Sequence, residues 1–167
     1  MAETGVIATL RGALGAVARA GLWISVLLLV AISALVAGQV VARNVFSLGL
    51  PWADELARWF GIALVYLTIP HLLDRGSHIA VEFLPDRLAG KARAAVLAVS
   101  DLSVAAFAGI SLVAFAGFLD RAARFKTPAL GIPNMIFYIP ALLGIVLLGL
   151  VAILRLAELV RGGERRA

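Results

Sequence analysis

Asp101 is the only charged residue within a long apolar run, residues 94–119. A carboxylate at the centre of a membrane helix costs about 2.5–3.5 kcal/mol on insertion scales, less near an end, so Asp101 must face protein or water. As a proton or cation site it would serve transport. As a structural acceptor it would bond Ser100, Ser103, an arginine or a neighbouring helix. No second acid lies within an apolar run, which favours the structural role. His71 follows Pro70 near the end of another run. An imidazole titrates near neutral pH and could relay protons. Haem ligation would need a second histidine on a facing helix, and His78, the only other one, falls in the next loop. A polar residue at a helix interface is the simpler reading of His71.

Residues 51–60, PWADELARWF, carry a denser pattern. On a helix Trp52, Leu56, Trp59, Phe60 and Ala63 share a broad face, while Asp54 and Arg58, four apart, can pair. Tryptophans seven apart fit an aromatic belt at a membrane boundary, or a docking surface for another protein. Further on, Gly76 and Pro85 bracket a short alternating stretch that tucks Ile79, Val81 and Leu84 against the helices. The chain has no cysteine, which removes disulfides, thiolate metal sites and cysteine nucleophiles. No nucleotide loop, zinc pattern, nucleophile elbow or redox motif is present. The chain is therefore not expected to be an enzyme, and no catalytic, cofactor-binding or metal residue is assigned.

The elements that must position these residues are apolar. Of 167 residues 62% are hydrophobic and 15% charged, and mean hydropathy is +1.02. There is too little polar surface to cover a soluble core, and disordered chains are poor in apolar residues. The fold class is an all-α integral membrane protein, a single domain over 1–167, with four transmembrane helices at about residues 20–42, 52–73, 94–118 and 132–154. The first holds 23 uncharged residues, about 34 Å of helix and enough to cross a bilayer core. It is too long for the apolar core of a signal peptide. The second reaches a spanning length if it starts near Pro51, a favoured first-turn residue. The fourth starts near Ile132 or Pro133.

Before the first span, Val6, Ile7, Leu10, Leu14 and Val17 share a helical face. This pattern fits a short amphipathic helix on the membrane surface, with a frayed terminus as the alternative. Ala34 and Gly38, and Ala105 and Gly109, are small pairs four apart that let helices approach closely. The net charge of +5 is read as an orientation signal. The termini and the middle loop carry ten Lys and Arg, and the opposite side five (Arg43, Arg58, Arg121, Arg124 and Lys126). That bias places both termini in the cytoplasm.

Three stretches together resemble the DctQ-like small membrane subunit of tripartite ATP-independent periplasmic (TRAP) transporters. Arg43 and Asn44 follow the first span, and Pro51, Trp52 and Glu55 open the second. Arg75 and Gly76, then His78 through Glu82, are similar to the family's R-x-G-x-H-I-x-V-D pattern, with glutamate where aspartate is usual. Thr127 through Pro133 precede the fourth span, which contains Pro140. The resemblance covers about residues 20–155. It implies a scaffold subunit in the bacterial inner membrane that packs against and stabilises a large membrane subunit. A periplasmic binding protein would deliver an organic acid, and an ion gradient would drive symport. Sodium would bind the large subunit, so no cofactor is expected in this chain. Membrane lipids are further partners and nucleic acid is not. Arg43, Trp52, Glu55, Arg58 and Trp59 are then candidate partner-interface residues; Arg75, His78 and Glu82 would fix the inner loop. The alternative is a stand-alone dimeric small transporter that uses Asp101 for proton coupling.

Overall fold

The computed structural model describes residues 2–75 and 90–160, with side chains described except at 2–8 and 91. Four helices account for nearly all of it: α1 (Ala2–Phe46), α2 (Pro51–Asp74), α3 (Gly90–Ala122) and α4 (Met135–Val160). All four are long and apolar enough to cross a membrane. Pro51 opens α2, where its missing N–H costs nothing because first-turn N–H groups have no helical partner. The connection before it begins with Ser47 in the left-handed region, φ 54°. The Leu48 N–H turns back to the Ala42 carbonyl at 3.1 Å, which satisfies one of the free carbonyls in the last turn of α1.

Two boundaries differ from the sequence expectation. The segment expected to lie flat on the membrane is helical but runs unbroken into the first span, so α1 has 45 residues. No proline interrupts it, and Gly15 and Gly21 lie where α1 passes close to α2. α4 starts at Met135 rather than at Ile132 or Pro133. Residues 126–133 are held in another structure: Lys126 and Pro133 form an antiparallel bridge, closed by a Thr127 N–H bond to Ile132 and an Asn134 N–H bond to Phe125. Gly131, at φ 67°, makes the turn; that conformation is open to glycine at little cost.

The helices pack in the order α1–α2–α4–α3, with α1 and α3 on the flanks. The 47–50 and 123–134 connections lie together at what is termed here the upper end. The starts of α1 and α3 and the ends of α2 and α4 form the lower end.

Each seam has its own chemistry. Between α1 and α2, small residues on α1 admit the backbone of α2. A Cβ on Gly21 would fall 2.8 Å from the Leu67 carbonyl oxygen. Ser25, buried, donates to Gly21 at 2.9 Å and across the seam to Leu64 at 3.1 Å. Helices α2 and α4 run parallel, and Leu73, Leu148, Val151 and Ala152 form the core at the lower end, joined by Ile69 and by Val104 and Ala105 of α3. Helices α3 and α4 run antiparallel. Gly149 faces Ala108, and Phe118 meets Tyr138 edge to face at 4.8 Å between ring centres.

The outer sides of α1 and α3 are left open. Trp23 and Leu27 on α1 are 70% and 69% exposed, and Ile110 and Val113 on α3 72% and 77%. Gly38 and Gly109, expected to mediate close packing, have no neighbouring atom within 4 Å of where a Cβ would stand. Close approach falls instead at Gly21, Gly144 and Gly149. Composition alone does not separate an inward small residue from an outward one when both surroundings are apolar.

Candidate functional site

At the upper end, α2 holds the α3–α4 connection from below. Glu55 lies just past the first turn of α2, and its side chain points inward, leaving the residue 8% exposed. Its two carboxylate oxygens accept the backbone N–H groups of Ala129 and Leu130 at 2.8 and 3.0 Å. Consecutive N–H groups at a turn suit a carboxylate, because charge-assisted bonds are shorter and stronger than neutral ones. One helical turn later, the Trp59 indole N–H donates to the Ile136 carbonyl at 3.1 Å, and its ring leans on Phe60 and Phe137. Glu55 and Trp59 thus fix the end of the loop and the start of α4 to the same side of α2. Neighbouring Asp54 accepts from Gln39 of α1 at 2.8 Å rather than pairing with Arg58. The buried hydroxyl of Thr127 lies beside the Glu55 carboxylate and adds to the backbone N–H groups around it.

The remaining upper-end residues face outward. Arg43 and Arg58 are exposed, and Trp52 is 41% exposed. Arg124, Phe125 and Lys126 join them at the foot of the bridged loop. So the five residues grouped from sequence as one interface divide by direction. Arg43, Trp52 and Arg58 are open to a partner; the Glu55 carboxylate and the Trp59 indole N–H are engaged within the chain.

Asp101 sits between α3 and α4 at 1% exposure, and Arg155 Nε stands 3.4 Å from its Oδ1. A deeply buried carboxylate is tolerated only when paired, and α4 supplies the cation. Sequence reasoning admitted an arginine as partner without naming it. Arg155 was identifiable in principle, because it is the one cation in residues 135–160 and lies toward the lower end of α4.

At the lower end, His71 is buried on α2, and its Nδ1 has no hydrogen-bond partner among the described residues. Arg75 caps α2, its N–H returning to the His71 carbonyl at 3.1 Å, and its side chain is exposed. His78 and Glu82 lie outside the described residues. Arg11 of α1 forms an ion pair with Glu158 of α4. Among the described residues no three His, Asp or Glu side chains converge as a metal site would require.

This arrangement ties helices and loops together and, among the described residues, gathers no reacting groups. None of the curated proteins compared matches the chain. Among family models, residues 32–162 match the one described as "Tripartite ATP-independent periplasmic transporters, DctQ component". The match takes in Glu55, Trp59, the bridged loop and the Asp101–Arg155 pair, and begins part-way along α1.

Proposed function

The chain belongs to the DctQ component family of tripartite ATP-independent periplasmic transporters, and from that premise we propose that it is the scaffold subunit of a secondary transporter in the bacterial inner membrane. It is a multi-pass membrane protein and a transporter component, not a member of an enzyme family. In the proposed complex it packs against the large membrane subunit and holds it in place. The binding protein brings an organic acid, and an ion gradient drives its symport through the large subunit. Both termini lie in the cytoplasm, so the upper end faces the periplasm.

One observation besides family membership carries this reading: the open row of four helices. A closed bundle would hide its apolar sides from other helices, whereas α1 and α3 leave theirs outward along their length. Contiguous apolar faces of this kind mark sites of protein or membrane contact. In lipid, helix association is driven by packing and interhelical hydrogen bonds, and outward small residues such as Ala34, Gly38 and Gly109 let a partner helix come close. Internally the row is cross-tied by Glu55, Trp59, Ser25 and the Asp101–Arg155 pair, as suits a part that stays still while another moves. The outward cations Arg43, Arg58, Arg124 and Lys126 are placed to meet the binding protein on the periplasmic side.

The deciding experiment is purification of the tagged chain from its native membrane in mild detergent. A large multispan subunit recovered in stoichiometric amount is expected. Recovery of the chain alone, as a homodimer that transports after reconstitution, would overturn the scaffold reading in favour of proton coupling at Asp101. The pairing of Asp101 with Arg155 speaks against that outcome, since a fixed cation already balances the acid.

A further inference from the structure

Two prolines lie inside helices, Pro70 in α2 and Pro140 in α4. Each removes the N–H that would bond the carbonyl four residues earlier. Those carbonyls belong to Tyr66 and Ile136, and the facing helix lies against both, with a hydrogen bond at Ile136 and a close glycine contact at Tyr66. Ile136 takes the indole N–H of Trp59 at 3.1 Å. Tyr66 is covered by Gly144 so closely that a Cβ there would fall 2.2 Å from the carbonyl oxygen. Both prolines are themselves buried.

We propose that the two prolines and their covering residues form a register lock between α2 and α4, with Trp59 and Gly144 as its positioning residues. The contacts share one parallel seam, seven residues apart on α2 and eight on α4, which is close to one heptad. Sliding either helix would separate both carbonyls from their cover. In apolar surroundings a backbone carbonyl without a partner is strongly unfavourable, so the register that keeps the Trp59 indole on the Ile136 carbonyl is favoured, and the same register brings the Tyr66 carbonyl against position 144, where only glycine leaves room for it. An ordinary helix pair in lipid has no such constraint, because its backbone groups are satisfied internally. Here the prolines act less as kinks than as sources of acceptors that the neighbouring helix must meet. The lock is a property of this chain and stands whether or not a large subunit binds it.

The test is a mutant cycle on the full-length chain purified in detergent, read by amide hydrogen exchange in the first turns of α4. Trp59→Phe removes the donor and keeps an aromatic ring. It should speed exchange there roughly three- to tenfold, the range expected for losing one hydrogen bond. In Pro140→Ala, residue 140 regains its N–H and bonds Ile136 within α4. Trp59→Phe in that background should then change exchange by less than about twofold. Equal effects of Trp59→Phe in both backgrounds would overturn the lock, since the indole would then act by packing alone. A measurement on the unaltered chain covers the case in which Pro140→Ala does not fold. The indole N–H of Trp59 should exchange far more slowly than that of Trp52, which is 41% exposed; equal rates would refute the proposal. Co-purification of the large subunit is scored separately, so failure of the lock and failure of the scaffold reading give different results.

Discussion

Arg155 and Asp101 face each other across the α3–α4 seam, with Nε 3.4 Å from Oδ1. Asp101 is 1% exposed there, whereas the Arg155 side chain keeps 14% of its surface. Removing one partner from a buried ion pair costs about 3–5 kcal/mol, chiefly because the other charge is left behind. Asp101→Ala and Arg155→Ala should each lower the membrane yield and thermal midpoint of the chain. The partial exposure of Arg155 puts the effect at the low end of that range. The double change Asp101→Leu with Arg155→Met should recover most of the loss. Double-variant stability no better than that of the singles would show that the pair is not what joins the two helices.

Glycine substitutions separate inward from outward close packing. Gly144→Ala drives a methyl into the Tyr66 carbonyl and Gly21→Ala one into the Leu67 carbonyl. Overpacking of this sort costs about 1–3 kcal/mol or more, so both should reduce the thermal midpoint of the isolated chain. Gly38→Ala and Gly109→Ala meet open space and should leave the isolated chain unchanged or slightly firmer, alanine being the better helix former. If a partner helix sits on either flank, the corresponding variant will lower recovery of the complex only. Unaltered recovery with both would remove these two glycines from the partner interface.

Glu55 holds the upper loop by its charge and its two oxygens. In Glu55→Gln one oxygen becomes an NH2 group, which cannot accept from a backbone N–H. Amide exchange at Ala129 and Leu130 should therefore accelerate, at one of the two positions in Glu55→Gln and at both in Glu55→Ala. Uptake should fall with the loosening of the loop, while the lower-end core keeps its protection. Exchange at 129 and 130 as slow as in the unaltered chain would mean that the bridged loop holds itself.

The proposed periplasmic placement of the upper end can be tested with cysteines, since the chain has none of its own. Phe125→Cys and Val160→Cys sit at opposite ends on residues 65% and 81% exposed. A membrane-impermeant maleimide should label Phe125→Cys in spheroplasts and Val160→Cys only after lysis. The reverse pattern would invert the topology inferred from the loop charges.

On the proposed reading, the outward cations help dock the binding protein. Arg124→Glu combined with Lys126→Glu should slow binding-protein-dependent uptake, most strongly at low ionic strength, where exposed charges are least screened. Recovery of the large subunit should be unaffected. Uptake unchanged at low salt would free the loop from any role in docking.

The sequence by itself was enough to establish a four-span membrane protein and its family. Long uncharged runs cannot be placed in water, and the stretches around Glu55, Arg75 and Thr127 are unusual enough together to carry a resemblance. It also marked Asp101 as a residue needing a partner, because a charge in apolar surroundings demands compensation. What it could not say was which partner, or on which side. Ala34–Gly38 and Ala105–Gly109 read as packing pairs, yet Gly38 and Gly109 face outward, while Gly21 and Gly144 carry the close contacts. The resemblance made Glu55 a candidate interface residue, and only the structure shows that its carboxylate holds a loop 74 residues away. The N-terminal stretch read as a separate surface helix, yet it continues α1, because an amphipathic pattern does not specify a break. Each of these choices depends on the order α1–α2–α4–α3 and the register of each seam. Lipid and an apolar helix offer a side chain the same surroundings, so only the packed structure tells them apart.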